Sequence, residues 1–279
     1  MKLLGIIITY YPNNKDFIFN VNQFIKNVDT LIIWQNTPLE DSKKHQISDK
    51  LFDEKVLLMG KGKNMGIAYA LNQAYEIMMN SSNNYTHLLS MDQDSTWVNF
   101  NNYCTIIKKN IQNAIYSPNI NNQLQLGDDL INVKTCITSG AIFPQSVLQV
   151  IGKFNEEYSV DCVDYDFCFK ALNNNIKIVK VKEAAMNQIY GKPMKSKFFN
   201  LENNKYASKR LFFIVRNHIL LWRDYPEHMD YNFKRTILSS YIFGKILKII
   251  FMEKNKTSKI TSILNGLFAG LFNKRSKSY

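Results

Sequence analysis

Short apolar runs alternate with segments of helical periodicity along the first hundred residues. The runs at 3–9, 30–36, 55–60 and 86–92 are rich in Ile, Leu and Val, which is typical of strands buried on both faces. Between the third and fourth runs, residues 67–79 carry apolar side chains at helical spacing. This alternation predicts a parallel sheet covered by helices, in which ligands bind beyond the carboxyl ends of the strands.

The remaining chain continues the α/β pattern and then becomes helical. Residues 132–154 and 176–181 predict further strands, and a helix is expected over 163–175 with acids in its first turn, where the helix dipole favours them. From about residue 203 the apolar side chains follow helical spacing. The last segment carries an apolar stripe at Ile260, Ile263, Leu264, Leu267, Phe268, Leu271 and Phe272.

The positive charge is concentrated towards the C-terminus. The net charge is +12, and residues 192–279 contain 18 Lys and Arg against 5 Asp and Glu. Such a surface suits an anionic partner, either a membrane or a nucleic acid, although a solvated basic helical face would have the same composition. Because no nucleic-acid-reading motif accompanies the charge, we do not expect nucleic acid as the partner.

Cysteine usage and hydropathy indicate the compartment. None of the four cysteines forms a Cys-x-x-Cys pair or stands at metal-ligand spacing from a histidine, which predicts a reduced, cytosolic protein. The longest apolar stretch, 241–252, is interrupted by Lys245 and Lys248, so we expect no transmembrane span.

Two carboxylates one residue apart end the fourth apolar run, as Asp92 and Asp94 of LLSMDQDST. Such a pair at a strand end suits Mg²⁺ or Mn²⁺, which takes oxygen ligands and keeps positions open for phosphate oxygens. A capped turn without metal is the alternative. Haloacid-dehalogenase-like phosphatases also have Asp-x-Asp-x-Thr, which Thr96 completes, but on their first strand. Here three strands come before the pair, and the segment 127–132 lacks the second acid of their later motif.

Six segments, in order along residues 3–225, resemble family 2 glycosyltransferases, specifically the bacterial rhamnosyltransferase-like branch. They are IIITYYPN, WQN, GKGKNMGIAYALNQA, LSMDQDS, the acceptor-side segment TSGAIFPQSVLQVIGKFNEEYSVDCVDYDFCFKAL, and RLFFIVRNHILLWRDY. The resemblance implies a GT-A fold, that is, a Rossmann-like nucleotide-binding α/β domain with a mixed sheet flanked by helices. It implies a catalytic domain at 1–200, with a nucleotide-sugar half at 1–97 and an acceptor half at 98–200, followed by a helical region at 201–279.

The resemblance also implies an activity. It is the metal-dependent, inverting transfer of a sugar, such as the deoxyhexose rhamnose, from a dTDP- or UDP-sugar donor to a glycan or lipid-linked acceptor in surface polysaccharide synthesis. The cofactor would be Mg²⁺ or Mn²⁺. The enzyme would lie in the cytoplasm, with its C-terminal helices either at the inner face of the cell membrane or packed as a hairpin on the catalytic domain or on a second copy of the chain.

The acceptor side of the site is implied residue by residue. Asp164 matches the catalytic base position of the family, with Asp166 orienting it and Asp161 as the competing candidate. Acids also favour the first turn of a helix without any catalytic role. Arg216 would face an acid or phosphate on the acceptor side, although a salt bridge to the core is an equal alternative.

The donor side is implied in the same way, with Asp94 and Asp92 as metal ligands. The residues expected around the donor are Thr9, Tyr11, Asn36, Asn64, Gly66, Asn72, Asp92 and Gln93. Gln188 departs from the family, which commonly has His at this position, but its amide oxygen could still reach the metal. This replacement leaves open a degenerate, non-catalytic GT-A scaffold or binding subunit. The choice of sugar and acceptor is expected to depend on the loops at 119–129 and 190–200.

Overall fold

The computed structural model describes residues 1–38, 40, 54–110, 113–121, 129–158, 160–188, 194–195, 202–204 and 206–272. Most of the two loops expected to select the sugar and the acceptor lies outside the described residues. The chain divides into two compact units. The first is Met1–Ser159 with Val163–Ile189, and the second is Val160–Cys162 with Tyr190–Tyr279. The predicted boundary at residue 200 stays a prediction.

The first unit is a mixed sheet with helices. Its strands are β1 (Leu3–Thr9), β2 (Thr30–Gln35), β3 (Val56–Gly60), β4 (His87–Asp92), β5 (Ser95–Trp97), β6 (Ala114–Ile120), β7 (Leu130–Val133), β8 (Ile142–Pro144) and β9 (Lys177–Gln188). Its helices are α1 (Asn14–Asn22), α2 (Ile67–Asn80), α3 (Phe100–Lys109), α4 (Gln145–Ile151) and α5 (Val163–Asn173), with a 3₁₀ turn at Ile25–Asn27.

The strand order of this sheet is β3-β2-β1-β4-β8-β6-β9-β5, and β7 also pairs with β9. The first four strands are parallel, as the alternation of runs predicted, whereas β8 and β5 are antiparallel to their neighbours. In register, Ile8 of β1 faces Asp92 of β4, and Thr9 faces Gln35 of β2. The carboxyl ends of β1, β2 and β4 therefore meet at one edge, which is where ligands bind in such sheets.

A tight turn at Gly140 lets β8 enter the sheet beside β4. The backbone N–H of Gly140 donates to the carbonyl of Ser90 at 2.7 Å, and its φ is +76°. A Cβ there would lie 2.7 Å from Cγ of Pro118 and 2.8 Å from Sδ of Met186. Both the backbone conformation and the close packing thus require glycine.

The second unit is mainly helical. It contains α6 (Ser208–Asp224), α7 (Tyr231–Thr236), a π-helical turn (Ile237–Phe243), α8 (Gly244–Met252) and α9 (Lys256–Phe272), and a short strand pair, β10 (Met194–Lys195) with β11 (Glu202–Asn203). Its core is formed by Leu211, Val215, Ile219, Ile237, Ile242, Ile249 and Ile263. Across the described parts of the chain, every helix is too short or too polar to cross a membrane.

Candidate functional site

The turn that carries Asp92 and Asp94 is held from beneath by a buried serine. The backbone N–H of Asp92 donates to the hydroxyl of Ser139 at 3.1 Å, and this hydroxyl lies 2.8 Å from that of Ser95. Both serines are fully buried. Ser139 begins the short Ser-Gly turn before β8, a segment that the motif resemblance placed on the acceptor side. In the structure this serine supports the Asp-x-Asp turn.

Gln188, the last residue of β9, also reaches this turn. In the antiparallel pair of β5 with β9, Ser95 faces Gln188 directly. The side-chain Nε2 of Gln188 donates to Oδ2 of Asp92 at 3.2 Å. Its Oε1 is buried and accepts no hydrogen bond from the described residues. The backbone of Gln188 is fixed by Asn121, whose Oδ1 accepts from the Gln188 N–H at 3.1 Å.

The carboxylates of this site act on one another electrostatically. Burial, together with the negative charges of Asp94 and Asp164, raises the pKa of Asp92 to about 7. Burial also raises the pKa of Asp94, against a backbone hydrogen bond in its own turn that lowers it. The charge of Asp164, which is distant in sequence, therefore also disfavours the ionised form of Asp92.

Asp164 and Asp166 begin α5 but have different surroundings. Oδ1 of Asp164 accepts from the backbone N–H of Tyr165 at 2.9 Å. Asp166 is 1% exposed, and its Oδ2 lies 3.1 Å from Nζ of Lys170, one turn further along the helix. Asp166 is thus bound to its own helix, and the predicted role of orienting Asp164 stays a prediction.

The other acceptor-side residues lie in the second unit. Asp161 has a φ of +59°, its carbonyl accepts from Nδ2 of Asn217, and its carboxylate lies 3.4 Å from Nη2 of Arg210. Nε of Arg216 donates to Oδ1 of Asn217 at 2.9 Å, and its guanidinium lies 5.0 Å from the ring centre of Phe213. Asn217, which the motifs did not single out as a site residue, thereby anchors the segment before α5.

The donor-side residues after β1 form an exposed aromatic corner. Thr9 is buried, and its hydroxyl donates to the carbonyl of Trp34 at 3.2 Å. Tyr10 and Tyr11 are 49% and 37% exposed, with ring centres 4.6 Å apart. The side chain of Gln93 accepts from the N–H of Tyr10 at 2.8 Å and donates to its carbonyl at 3.0 Å. Gln93 therefore fixes the backbone of this corner through its own amide.

The loop in front of α2 is held by hydrogen bonds that involve Asn36, Asn64 and Gly66. Oδ1 of the buried Asn36 accepts from the backbone N–H of Met65 at 3.1 Å, and its Nδ2 donates to the carbonyl of Gly66 at 3.3 Å. Oδ1 of Asn64 accepts from the N–H of Gly66 at 2.9 Å. Gly66 precedes the helix with a φ of +87°, which favours glycine. The loop thereby presents the amino end of α2.

Asn72 uses its amide to join α2 to the segment after α4. Its Oδ1 accepts from the backbone N–H of Phe154 at 2.8 Å, and its Nδ2 donates to the carbonyl of Phe154 at 2.9 Å and to Oε1 of Glu156 at 2.7 Å. Asn72 is 4% exposed. These contacts give it a structural task, and its role in donor binding stays a prediction.

We expect Asn72→Ala to lower the free energy of unfolding by about 2–4 kcal/mol, because it leaves both backbone groups of Phe154 buried without these hydrogen bonds. Urea denaturation measures this change. Asn80→Ala is the matched control, since Asn80 ends the same helix and bonds only to the exposed Glu76 within the described contacts. Loss of dTDP binding with unchanged stability would instead assign Asn72 to the donor.

Comparisons with known proteins find similar glycosyltransferases, although no protein-family model matches the chain. The curated dTDP-rhamnosyl transferase RfbF of Shigella flexneri is 22% identical over 250 residues, covering 80% of each chain. Among solved structures, GalNAc-T7 in a crystal with UDP, GalNAc and Mn²⁺ has a TM-score of 0.63 at 11% identity over 95% of this chain. S. aureus TarS in complex with UDP-GlcNAc has a TM-score of 0.52 at 15% identity over 96% of this chain.

The chain spans 56% of GalNAc-T7 and 81% of TarS. Both structures are GT-A glycosyltransferases, so the predicted GT-A fold is confirmed. The curated relative carries the name of the branch that the motifs resemble. Fold, motifs and relative therefore indicate the same class of enzyme.

Proposed function

We propose that the chain, a GT-A glycosyltransferase by its fold and its curated relative, moves a deoxyhexose such as rhamnose to a glycan or lipid-linked acceptor in surface polysaccharide synthesis. The observation that carries this proposal is the Asp-x-Asp pair, Asp92 and Asp94, at the carboxyl edge of the sheet, where the charge of Asp164 also acts on Asp92. The name of the curated relative supports dTDP-rhamnose as the donor. The reaction would take place in the cytoplasm, as the cysteine usage predicts.

The residues at the turn fit a divalent cation. Asp92, Asp94 and Gln188 offer carboxylate and amide oxygens, the ligands that Mg²⁺ and Mn²⁺ prefer. The buried Oε1 of Gln188 has no hydrogen-bond donor among the described residues, and the buried charge of Asp92 is disfavoured. Within the described residues no group of three His, Cys, Asp or Glu is suited to a metal. The amide oxygen and the donor phosphates would therefore complete the coordination.

The acidic groups would then divide the work of the reaction. A divalent cation, when bound, neutralises the diphosphate charge as it leaves. Asp164 accepts the proton of the attacking acceptor hydroxyl as general base. Asp164 lies in the first turn of α5. An inverting displacement needs the base on the side of the sugar opposite the diphosphate, which is why the base is a residue outside the Asp-x-Asp turn.

The remaining donor-side groups would bind the nucleotide. The exposed rings of Tyr10 and Tyr11 can stack on a pyrimidine base. The amino end of α2, presented by the loop that the hydrogen bonds of Asn36 and Asn64 hold, favours phosphate oxygens. Gln93 and Thr9 support the aromatic corner of Tyr10 and Tyr11. Gln93 bonds to the backbone of Tyr10, and Thr9 bonds to the carbonyl of Trp34.

Calorimetry with dTDP, UDP and GDP, each with and without Mn²⁺, tests the proposed function. We expect dTDP or UDP to bind in the presence of Mn²⁺ and EDTA to weaken that binding at least about tenfold. A chain that binds none of the three nucleotides would be a scaffold with a GT-A fold. Hydrolysis of p-nitrophenyl phosphate, which a transferase should not catalyse, would favour the phosphatase interpretation.

A further inference from the structure

Two consecutive elements of the second unit expose large apolar side chains at the same spacing. On the π-helical turn and α8 these are Phe243, Leu247, Ile250 and Phe251, and on α9 they are Leu264, Phe268, Leu271 and Phe272. These eight residues, which we call the C-terminal apolar set, are 39–66% exposed. Each group of four follows an i, i+4, i+7, i+8 pattern, which places its members on one side of a helix.

The members of the set on α9 are exposed because other residues of this helix pack against α6. A Cβ on Gly266 would lie 2.5 Å from the carbonyl oxygen of Phe212, and one on Gly270 would lie 2.7 Å from Cβ of Ile219. These glycines let α9 approach α6 closely, with Ile263 and Ala269 also buried. The small residues therefore occupy the interface, and the phenylalanines of the predicted apolar stripe face solvent.

The charged side chains between residues 231 and 272 are all basic except one. Glu253 is the only acid between residues 231 and 272. It is 5% exposed, lies 3.1 Å from Nζ of Lys245 and also pairs with Lys259. Its negative charge is therefore withdrawn from the surface. Lys254, in the turn between α8 and α9, and Lys256, the first residue of α9, are exposed.

We propose that the C-terminal apolar set inserts into the interfacial region of an anionic lipid surface, with Lys254 and Lys256 contacting the headgroups. Amphipathic helices with apolar side chains on one side and lysines beside them bind membranes in this way, gaining both apolar burial and attraction to anionic lipid. A symmetric contact with a second copy would instead bring the same uncompensated lysines together. The inference does not depend on the proposed sugar transfer.

Flotation of the full chain with vesicles tests this proposal in the absence of any donor or acceptor. We expect binding to vesicles of phosphatidylcholine with phosphatidylglycerol and much weaker binding to phosphatidylcholine alone. Phe268→Gln/Phe272→Gln should lower the partition coefficient at least about tenfold. Phe19→Gln is the matched control and should leave it unchanged, because Phe19 is 58% exposed on α1 in the first unit. Lys254→Glu/Lys256→Glu should reduce binding by about fivefold for each lysine, on anionic vesicles only.

Phe251→Gln on α8 provides a second test that does not alter α9. Thermal unfolding and dTDP binding of each variant should match the wild type, since the replaced side chains are exposed. Equal flotation of wild type, Phe268→Gln/Phe272→Gln and Phe251→Gln would overturn the proposal. So would a wild-type dimer in light scattering without vesicles that these replacements convert to a monomer, since the set would then be a contact between copies.

Discussion

Replacing Asp164 with Asn should reduce the rate of sugar transfer by about 10²–10⁴-fold while leaving nucleotide affinity unchanged. Asn preserves the size of the side chain and can still accept from the N–H of Tyr165 through its oxygen, but it cannot take up a proton. The rate is measured as release of dTDP from dTDP-rhamnose, with a detergent extract of bacterial membranes as the source of acceptor. Calorimetry with dTDP and Mn²⁺ measures the affinity.

Two neighbouring acids serve as controls for Asp164. Asp161→Asn removes the competing candidate, whose carboxylate lies near Arg210, and should retain most of the activity. Asp166→Asn removes a buried carboxylate paired with Lys170, so its main effect should be on the free energy of unfolding. Full activity of Asp164→Asn combined with an inactive, folded Asp161→Asn would transfer the role of base to Asp161.

The predictable parts of the fold are the strands and helices whose burial leaves a pattern of apolar residues in their own sequence. A strand covered on both faces needs a continuous apolar run, and the run at 3–9 is β1 itself. A helix with one buried side needs apolar residues at helical spacing, and the segment 67–79 corresponds to α2, Ile67–Asn80. Parallel strands then place their carboxyl ends together, so the position of Asp92 at the edge of the sheet followed from the order of the runs.

The support of the site could not be predicted because it depends on which distant strands become neighbours. Ser139 lies under the Asp-x-Asp turn since β8 enters the sheet beside β4, and no local periodicity specifies that neighbour. Asn72 belongs to a motif associated with the donor, yet its amide bonds to Phe154 across the fold. A motif indicates which residues lie near a site. It does not distinguish the residues that would contact the ligand from those that stabilise the surrounding fold.

Helical periodicity was likewise insufficient to predict which side of α9 is buried. The apolar stripe of this helix is regular, but a stripe does not specify whether it faces the core or the solvent. Gly266 and Gly270 decide the question, because only their side of the helix can approach the backbone of α6. The stripe therefore divides, with Ile263 buried and Phe268 exposed. The sequence contained both the apolar stripe and the glycines, and the glycines determined the packing.

Asp94→Ala is expected to weaken Mn²⁺-dependent binding of dTDP by at least about 100-fold, because it removes an ionised oxygen ligand from a site that offers few others. Calorimetry with dTDP at saturating Mn²⁺ measures this change, and titration with Mn²⁺ alone separates loss of metal from loss of nucleotide. Asp16→Ala is the matched control, since Asp16 is an exposed acid on α1. Unchanged binding by Asp94→Ala would remove the metal from the proposed site.

Gln188 should then determine how tightly the metal is held. Gln188→Ala removes the buried amide oxygen and its hydrogen bond to Asp92, and we expect it to weaken Mn²⁺ binding by about 10-fold, less than Asp94→Ala. Gln188→His introduces the residue that the motif resemblance implies at this position and should tighten binding, because the ring nitrogen of imidazole is a more basic donor than the oxygen of a neutral amide. If both replacements leave Mn²⁺ affinity unchanged, Gln188 contributes only its hydrogen bond to Asp92, and the carboxylates with the donor phosphates must hold the cation by themselves.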